Sequence, residues 1–167
     1  MKYFLSSILF ILVLVFSFSQ QSAPSEAEYL TLYKSAEKEY LEAEKLPLRK
    51  DYSEEQEAAL NRSALKKLLQ VLPSLLANQL DSLAFHGHYM TASLFHYFDS
   101  LSLAKEYYQH AVHIKKRAAR LPDSMLFKPL LYIGSVHYSQ HAFDSAVFYY
   151  KEAETISDII TQEEIAK

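Results

Sequence analysis

Residues 81–114, DSLAFHGHYMTASLFHYFDSLSLAKEYYQHAVHI, and residues 123–156, DSMLFKPLLYIGSVHYSQHAFDSAVFYYKEAETI, carry one pattern twice, 42 residues apart. Across the 36 aligned positions that begin at Gln79, nine are identical. Asp81-Ser82 meets Asp123-Ser124, Phe85 meets Phe127, Ser93 meets Ser135 and Ala104 meets Ala146. Tyr107-Tyr108 meets Tyr149-Tyr150, Ala111 meets Ala153 and Ile114 meets Ile156. Self-similarity at such a period is the signature of stacked repeats, each too small to bury its apolar face alone. Each copy reads as a helix pair, 82–98 with 100–119 and 124–141 with 144–158.

Working upstream, Tyr29, Leu32, Tyr33, Ala36, Tyr40 and Ala43 recur at spacings of three and four, which gathers them on one helical face. This predicts a first helix over 26–44, ended by Leu46-Pro47 because a residue before proline is pushed out of the α region. Ser53 and Gln56 have the form of a capping box, and Ala59, Leu60, Ala64, Leu65, Leu68, Leu69 and Leu72 follow as an apolar stripe. Pro73 is expected to end or kink this second helix near Leu72. Composition agrees with an all-α chain: with 2 glycines and 5 prolines in 167 residues there is little material for β-turns. The 17 basic and 20 acidic residues give a net charge of −3 without a basic stripe, which argues against a nucleic-acid partner. No cysteine is present, so disulfides, thiolate metal sites and a thiol nucleophile are excluded.

Lys2 precedes an apolar run over 3–18, with Ser17 and Ser19 small enough for signal-peptidase cleavage after Ser19. Residues 1–19 are therefore expected to be a signal peptide, placing the mature chain in the periplasm or outside the cell. The alternative is an uncleaved N-terminal anchor, the one circumstance in which a membrane becomes a partner; the run is shorter than the roughly 20 apolar residues a span normally needs. The remaining division is a linker over 20–25, a divergent first helix pair over 26–78, two repeats over 79–160 and a tail over 161–167.

In the last unit Leu130, Ile133, Gly134 and Tyr138, then Phe143, Ala146, Tyr150 and Ala153, alternate small and large in an order that resembles the tetratricopeptide repeat (TPR). Small Gly134 and Ala146 would let paired helices approach, Tyr150 would fill the space beside them, and Ala153 would touch the next helix. The preceding unit keeps Leu101, Ala104, Tyr108 and Ala111, with Ala92 in place of Gly134; the earliest pair matches only at Ala64, Leu68 and Val71. The period of 42 exceeds the usual 34 or so and resembles the kinesin-light-chain-like type. With the apolar N-terminus, the texture is also similar to repeat regions of secreted bacterial proteins, some of which carry a C-terminal CHAT domain. The resemblance implies a TPR-like α-solenoid of about three antiparallel helix pairs.

It also implies a binding surface, because in such stacks the first helices of successive pairs line a concave face. The corresponding positions here are His86, Tyr89, Ser93, His96 and Tyr97, then Lys128, Leu131, Ser135, Tyr138 and Ser139. Tyrosines with polar tips suit a protein or peptide partner, since they bury much area at low entropic cost. The face lacks the set of lysines and asparagines with which chaperone-binding members clamp a terminal carboxylate. The expected function is an extracytoplasmic interaction scaffold without cofactor or metal. The alternative is the sensory or regulatory N-terminal part of a larger protein, with Ile156, Ile159 and Ile160 as an uncovered end able to self-associate.

Catalysis is not expected. No Gly-x-Ser-x-Gly elbow accompanies the serines, most of which read as helix caps, and Gly87 and Gly134 cannot make a phosphate loop. Among seven histidines, His137 and His141 form an i, i+4 pair, but the glutamate of a His-Glu-x-x-His motif is missing. The basic run Lys115-Lys116-Arg117 with Arg120 would suit an acidic partner or lipid headgroups, or merely end a helix.

Overall fold

The computed structural model describes residues 25–165, with side chains through Thr161. The expected signal sequence, its cleavage after Ser19, all of the linker but Ser25, and the last two residues of the tail lie outside the described residues. Among the described residues there are six α-helices and no strand. They are α1 (Glu26–Lys45), α2 (Glu54–Ala77), α3 (Asp81–Tyr97), α4 (Leu101–Arg117), α5 (Phe127–Ser139) and α6 (Phe143–Ile165). Each helix packs on those before and after it, most extensively within α1/α2, α3/α4 and α5/α6.

Helix α1 begins at a capping box: Ser25 accepts from the Glu28 backbone while the Glu28 carboxylate accepts from the Ser25 backbone N–H at 2.7 Å. Its buried face is Tyr29, Tyr33, Ala36, Tyr40 and Ala43, and Pro47 stands in the 3₁₀ turn Leu46–Leu48 that ends it. This follows the expected periodicity. Helix α2 starts at Ser53, whose hydroxyl accepts from Gln56 N–H, but it does not stop at Leu72. It continues through Pro73 to Ala77, since Leu72 and Leu75 are both buried and that burial outweighs the one backbone bond an exposed proline forfeits. The buried face is likewise rotated from the expected stripe: Ala59 and Leu69 are exposed, while Asn61, Ala64, Leu68, Val71, Leu72 and Leu75 face inward.

Three tight turns share one chemistry. Gln79, Asp99 and His141 follow α2, α3 and α5 with φ of 55°, 55° and 57°. The next residue in each case returns a 6→1 bond, Leu80 to Leu75, Ser100 to Phe95 and Ala142 to His137, at 3.0, 2.8 and 2.9 Å. This is the Schellman arrangement, usually closed by glycine. Both glycines of this chain are instead inside helices, so residues with side chains take the left-handed position. The arrangement also removes two expectations. His141 lies beyond the end of α5, so it shares no helix face with His137, and Ser100 and Ser124 make no side-chain cap.

The α4–α5 connection differs, passing through Pro122 and a 3₁₀ turn over Asp123–Leu126 before α5 begins at Phe127 rather than Ser124. Helix α6 extends to Ile165, so residues 161–165 continue a helix rather than form a tail. The basic end of α4 is largely consumed inside the molecule: Lys115 is buried and pairs with Asp123, and Arg117 and Arg120 reach Asp81 at 3.2 and 2.9 Å. Both aspartates of the repeated Asp-Ser pair thus hold the end of α4. Ile156 packs against the last core cluster and Ile160 is partly buried, while Ile159 is exposed, as are Phe143, Val147 and Phe148 earlier on α6.

Candidate functional site

A concave pocket of about 360 Å³ is lined by all three helix pairs. Helix α1 contributes Tyr40 and Glu44, α2 Glu57 and Asn61, α3 Tyr89, Ser93, Leu94, His96 and Tyr97, α4 Tyr108, and α5 Lys128 and Tyr132. Spacing explains the set: Tyr40 and Glu44, Glu57 and Asn61, and Lys128 and Tyr132 are i, i+4 neighbours on their helices. On α3, Tyr89, Ser93, His96 and Tyr97 form the matching stripe.

The floor is aromatic. Tyr108 and Tyr132 stack with centroids 5.3 Å apart, Tyr89 lies 5.9 Å from Tyr108 and 6.5 Å from Tyr132, and His96 meets Tyr132 edge-on at 6.0 Å. Ser93 Oγ is 3.2 Å from Tyr108 Oη. Burial pushes the Tyr89 phenol up to about 12, the neighbouring Tyr132 adding to the effect. Burial, and next the bond to Glu44, pushes Tyr40 higher still; burial does the same for Tyr108. These hydroxyls are neutral at physiological pH and serve as hydrogen-bonding groups.

Carboxylates stand on the side of the first pair. Tyr40 Oη donates to Glu44 Oε1 at 2.7 Å, and Tyr52 Oη donates to Glu57 Oε2 at 2.6 Å. Asn61, 5% exposed, turns into the same pocket. Lys128 stands on the opposite side, in the first turn of α5. The arrangement provides hydrogen bonds, aromatic faces and charges of both signs, which is equipment for recognition.

Of the ten candidate residues, Tyr89, Ser93, His96, Tyr97 and Lys128 come together here. His86, one turn nearer the start of α3, is exposed against Phe85 instead. Leu131, Ser135, Tyr138 and Ser139 do not line the pocket, which α5 enters through Lys128 and Tyr132. Tyr138 is 60% exposed and packs edge-on with Phe143. Tyr40, Glu44, Glu57 and Asn61 lie outside the two repeats, and Leu94, Tyr108 and Tyr132 lie within them but off the positions that the resemblance selects. The i, i+4 spacing of a tyrosine or asparagine with a glutamate was the available signal in the first pair, where the repeat pattern is weakest.

Two of the remaining histidines have structural surroundings. His88 is buried with Nδ1–H donating to the Ala84 carbonyl at 2.8 Å, and His137 stacks on Tyr149 at 5.4 Å. Among the described residues no three His, Cys, Asp or Glu side chains are gathered as a metal would require, and no helix is long and apolar enough to cross a membrane. Asn61-Arg62-Ser63 has the form of a glycosylation sequon, but Asn61 is buried mid-helix. Comparison of the chain with protein-family models, curated proteins and solved structures gave no match.

Proposed function

We propose that the chain is a TPR-like solenoid of three helix pairs, working outside the cytoplasm as a scaffold that holds a peptide or protein partner on its concave face. The observation that carries this reading is a single pocket to which the first helix of every pair contributes, with Tyr40 and Glu44 from α1, the Tyr89 stripe from α3, and Lys128 and Tyr132 from α5. A side-by-side array of first helices is what makes a concave binding surface in stacked repeats. The 42-residue repeat and the Gly134–Tyr150 and Ala92–Tyr108 small-large pairs support the same architecture. The apolar run over 3–18 supports export.

The test is site-specific photocrosslinking. Benzoylphenylalanine at Tyr97, 44% exposed on the pocket rim, is expected to give a discrete adduct in an envelope extract of the source organism. The same probe at Leu103, 42% exposed on α4 and outside the pocket, is expected to give none. Adducts from Leu103 alone would place the partner on another face and reject the concave-face reading.

A further inference from the structure

We propose that the pocket is selective for a cationic side chain, an arginine or lysine carried by an extended peptide segment. This rests on the concave-face reading above and adds the chemistry of the occupant.

Three observations point to a cation. First, Glu44 and Glu57 open into one pocket, and neither has an ion-pair partner among the described residues. Each carboxylate has one oxygen engaged by a tyrosine hydroxyl, Glu44 Oε1 by Tyr40 and Glu57 Oε2 by Tyr52. The second oxygen of each is left as an acceptor. A bond from a phenol hydroxyl orients a carboxylate, so both are positioned. Second, the pocket is lined by rings: Tyr40, Tyr89, Tyr97 and Tyr132 stand around it, with Tyr108 stacked on Tyr132, and aromatic rings attract a guanidinium or ammonium group. Third, Asn61 is 5% exposed, lines the pocket, and makes no side-chain hydrogen bond among the described residues. Its carboxamide oxygen is a further acceptor available to the occupant.

An anionic occupant would find one cation, Lys128, and would have to approach two carboxylates to fill the pocket. Lys128 stands across α3 from the acids, so it gives the occupant a direction. The basic group lies against α1 and α2, while backbone carbonyls or an acidic residue lie toward α5.

The experiment uses the full chain in mild detergent as bait for a displayed library of random heptapeptides, with the enriched sequences read out. Arginine or lysine is expected to dominate one position, with aspartate and glutamate depleted there. Affinity of an enriched peptide is expected to fall about tenfold or more in the Glu44→Gln/Glu57→Gln double variant. Those substitutions keep an acceptor for each tyrosine hydroxyl, and circular dichroism is expected to stay at the wild-type signal. In Glu44→Lys/Glu57→Lys the preference at that position is expected to reverse toward acidic residues. Enrichment of acidic or purely apolar residues by the wild-type chain would overturn the cation assignment and leave the concave-face reading standing. Free arginine amide competing as well as the peptide would show a small-amine site and overturn the peptide assignment. Retention of no peptide at all would remove the concave-face reading, and this inference with it.

Discussion

A β-carbon on Gly134 would sit 2.6 Å from Cε1 and 2.7 Å from Cδ1 of Tyr150, so α5 and α6 close with the backbone of one helix laid against the ring of the other. In the preceding pair Ala92 faces Tyr108 at the equivalent positions, both inside one core cluster, and there a methyl group is accommodated. The contrast makes Gly134 a packing requirement and not a turn: its φ is ordinary, and its neighbour is a ring that meets the site as far back as Cγ, at 3.3 Å. Gly134→Ala is therefore expected to destabilise by roughly 1–2 kcal/mol, overpacking outweighing the helix propensity gained. Gly87→Ala is the control, because its closest neighbour is the end of the Leu72 side chain at 2.8 Å, which can rotate away. That variant is expected within about 0.5 kcal/mol of wild type. Urea unfolding followed by circular dichroism separates the two.

Stability should fall on mild acidification. Burial holds His88 below its ordinary 6.5, opposed in part by the bond to the Ala84 carbonyl and reinforced by His110, whose ring lies 5.5 Å away. Burial, with Lys105 adding to it, lowers His137 as well. A histidine with a depressed folded pKa binds its proton more readily in the unfolded chain. Its contribution is therefore complete above 6.5 and is lost as the pH drops through 6.5 toward the folded value. Melting temperature is expected to decline between about pH 7 and pH 5. His88→Asn keeps a donor for Ala84 without the titration, and is expected to lower the melting temperature at neutral pH while flattening the decline. An unchanged slope would assign the effect to other groups.

Lys115 should depend on Asp123 more than an exposed ion pair would suggest. The lysine side chain is 7% exposed and the aspartate 63%, so removing the aspartate leaves a nearly buried ammonium without its partner. Asp123→Ala is expected to cost about 1 kcal/mol, the exposure of the aspartate keeping the figure low. Adding Lys115→Met is expected to recover most of the loss, because an apolar chain of similar length needs no counter-charge. Denaturant midpoints of the two singles and the double form the cycle, and an additive result would mean that the pair is not coupled.

Much of this protein is legible along the chain because its information is local. The i, i+3 and i+4 runs of α1 and the stop at Leu46-Pro47 each depend on residues within a turn or two of one another, and the 42-residue repeat is read by laying the chain along itself. The close packing of Gly134 against Tyr150 is not local, and the sequence pointed to it only through the resemblance to the tetratricopeptide repeat. What only the tertiary structure decided has partners distant in sequence. Helix α2 runs through Pro73 because Leu75 finds a core to enter, and three tight turns close without glycine because the packed helices on either side outweigh the local cost of positive φ at Gln79, Asp99 and His141. The pocket is the clearest case. Tyr40 and Glu44 come to line one pocket with Tyr89, Tyr108 and Tyr132 through the packing of helices distant in the chain, and no spacing within the chain encodes that meeting.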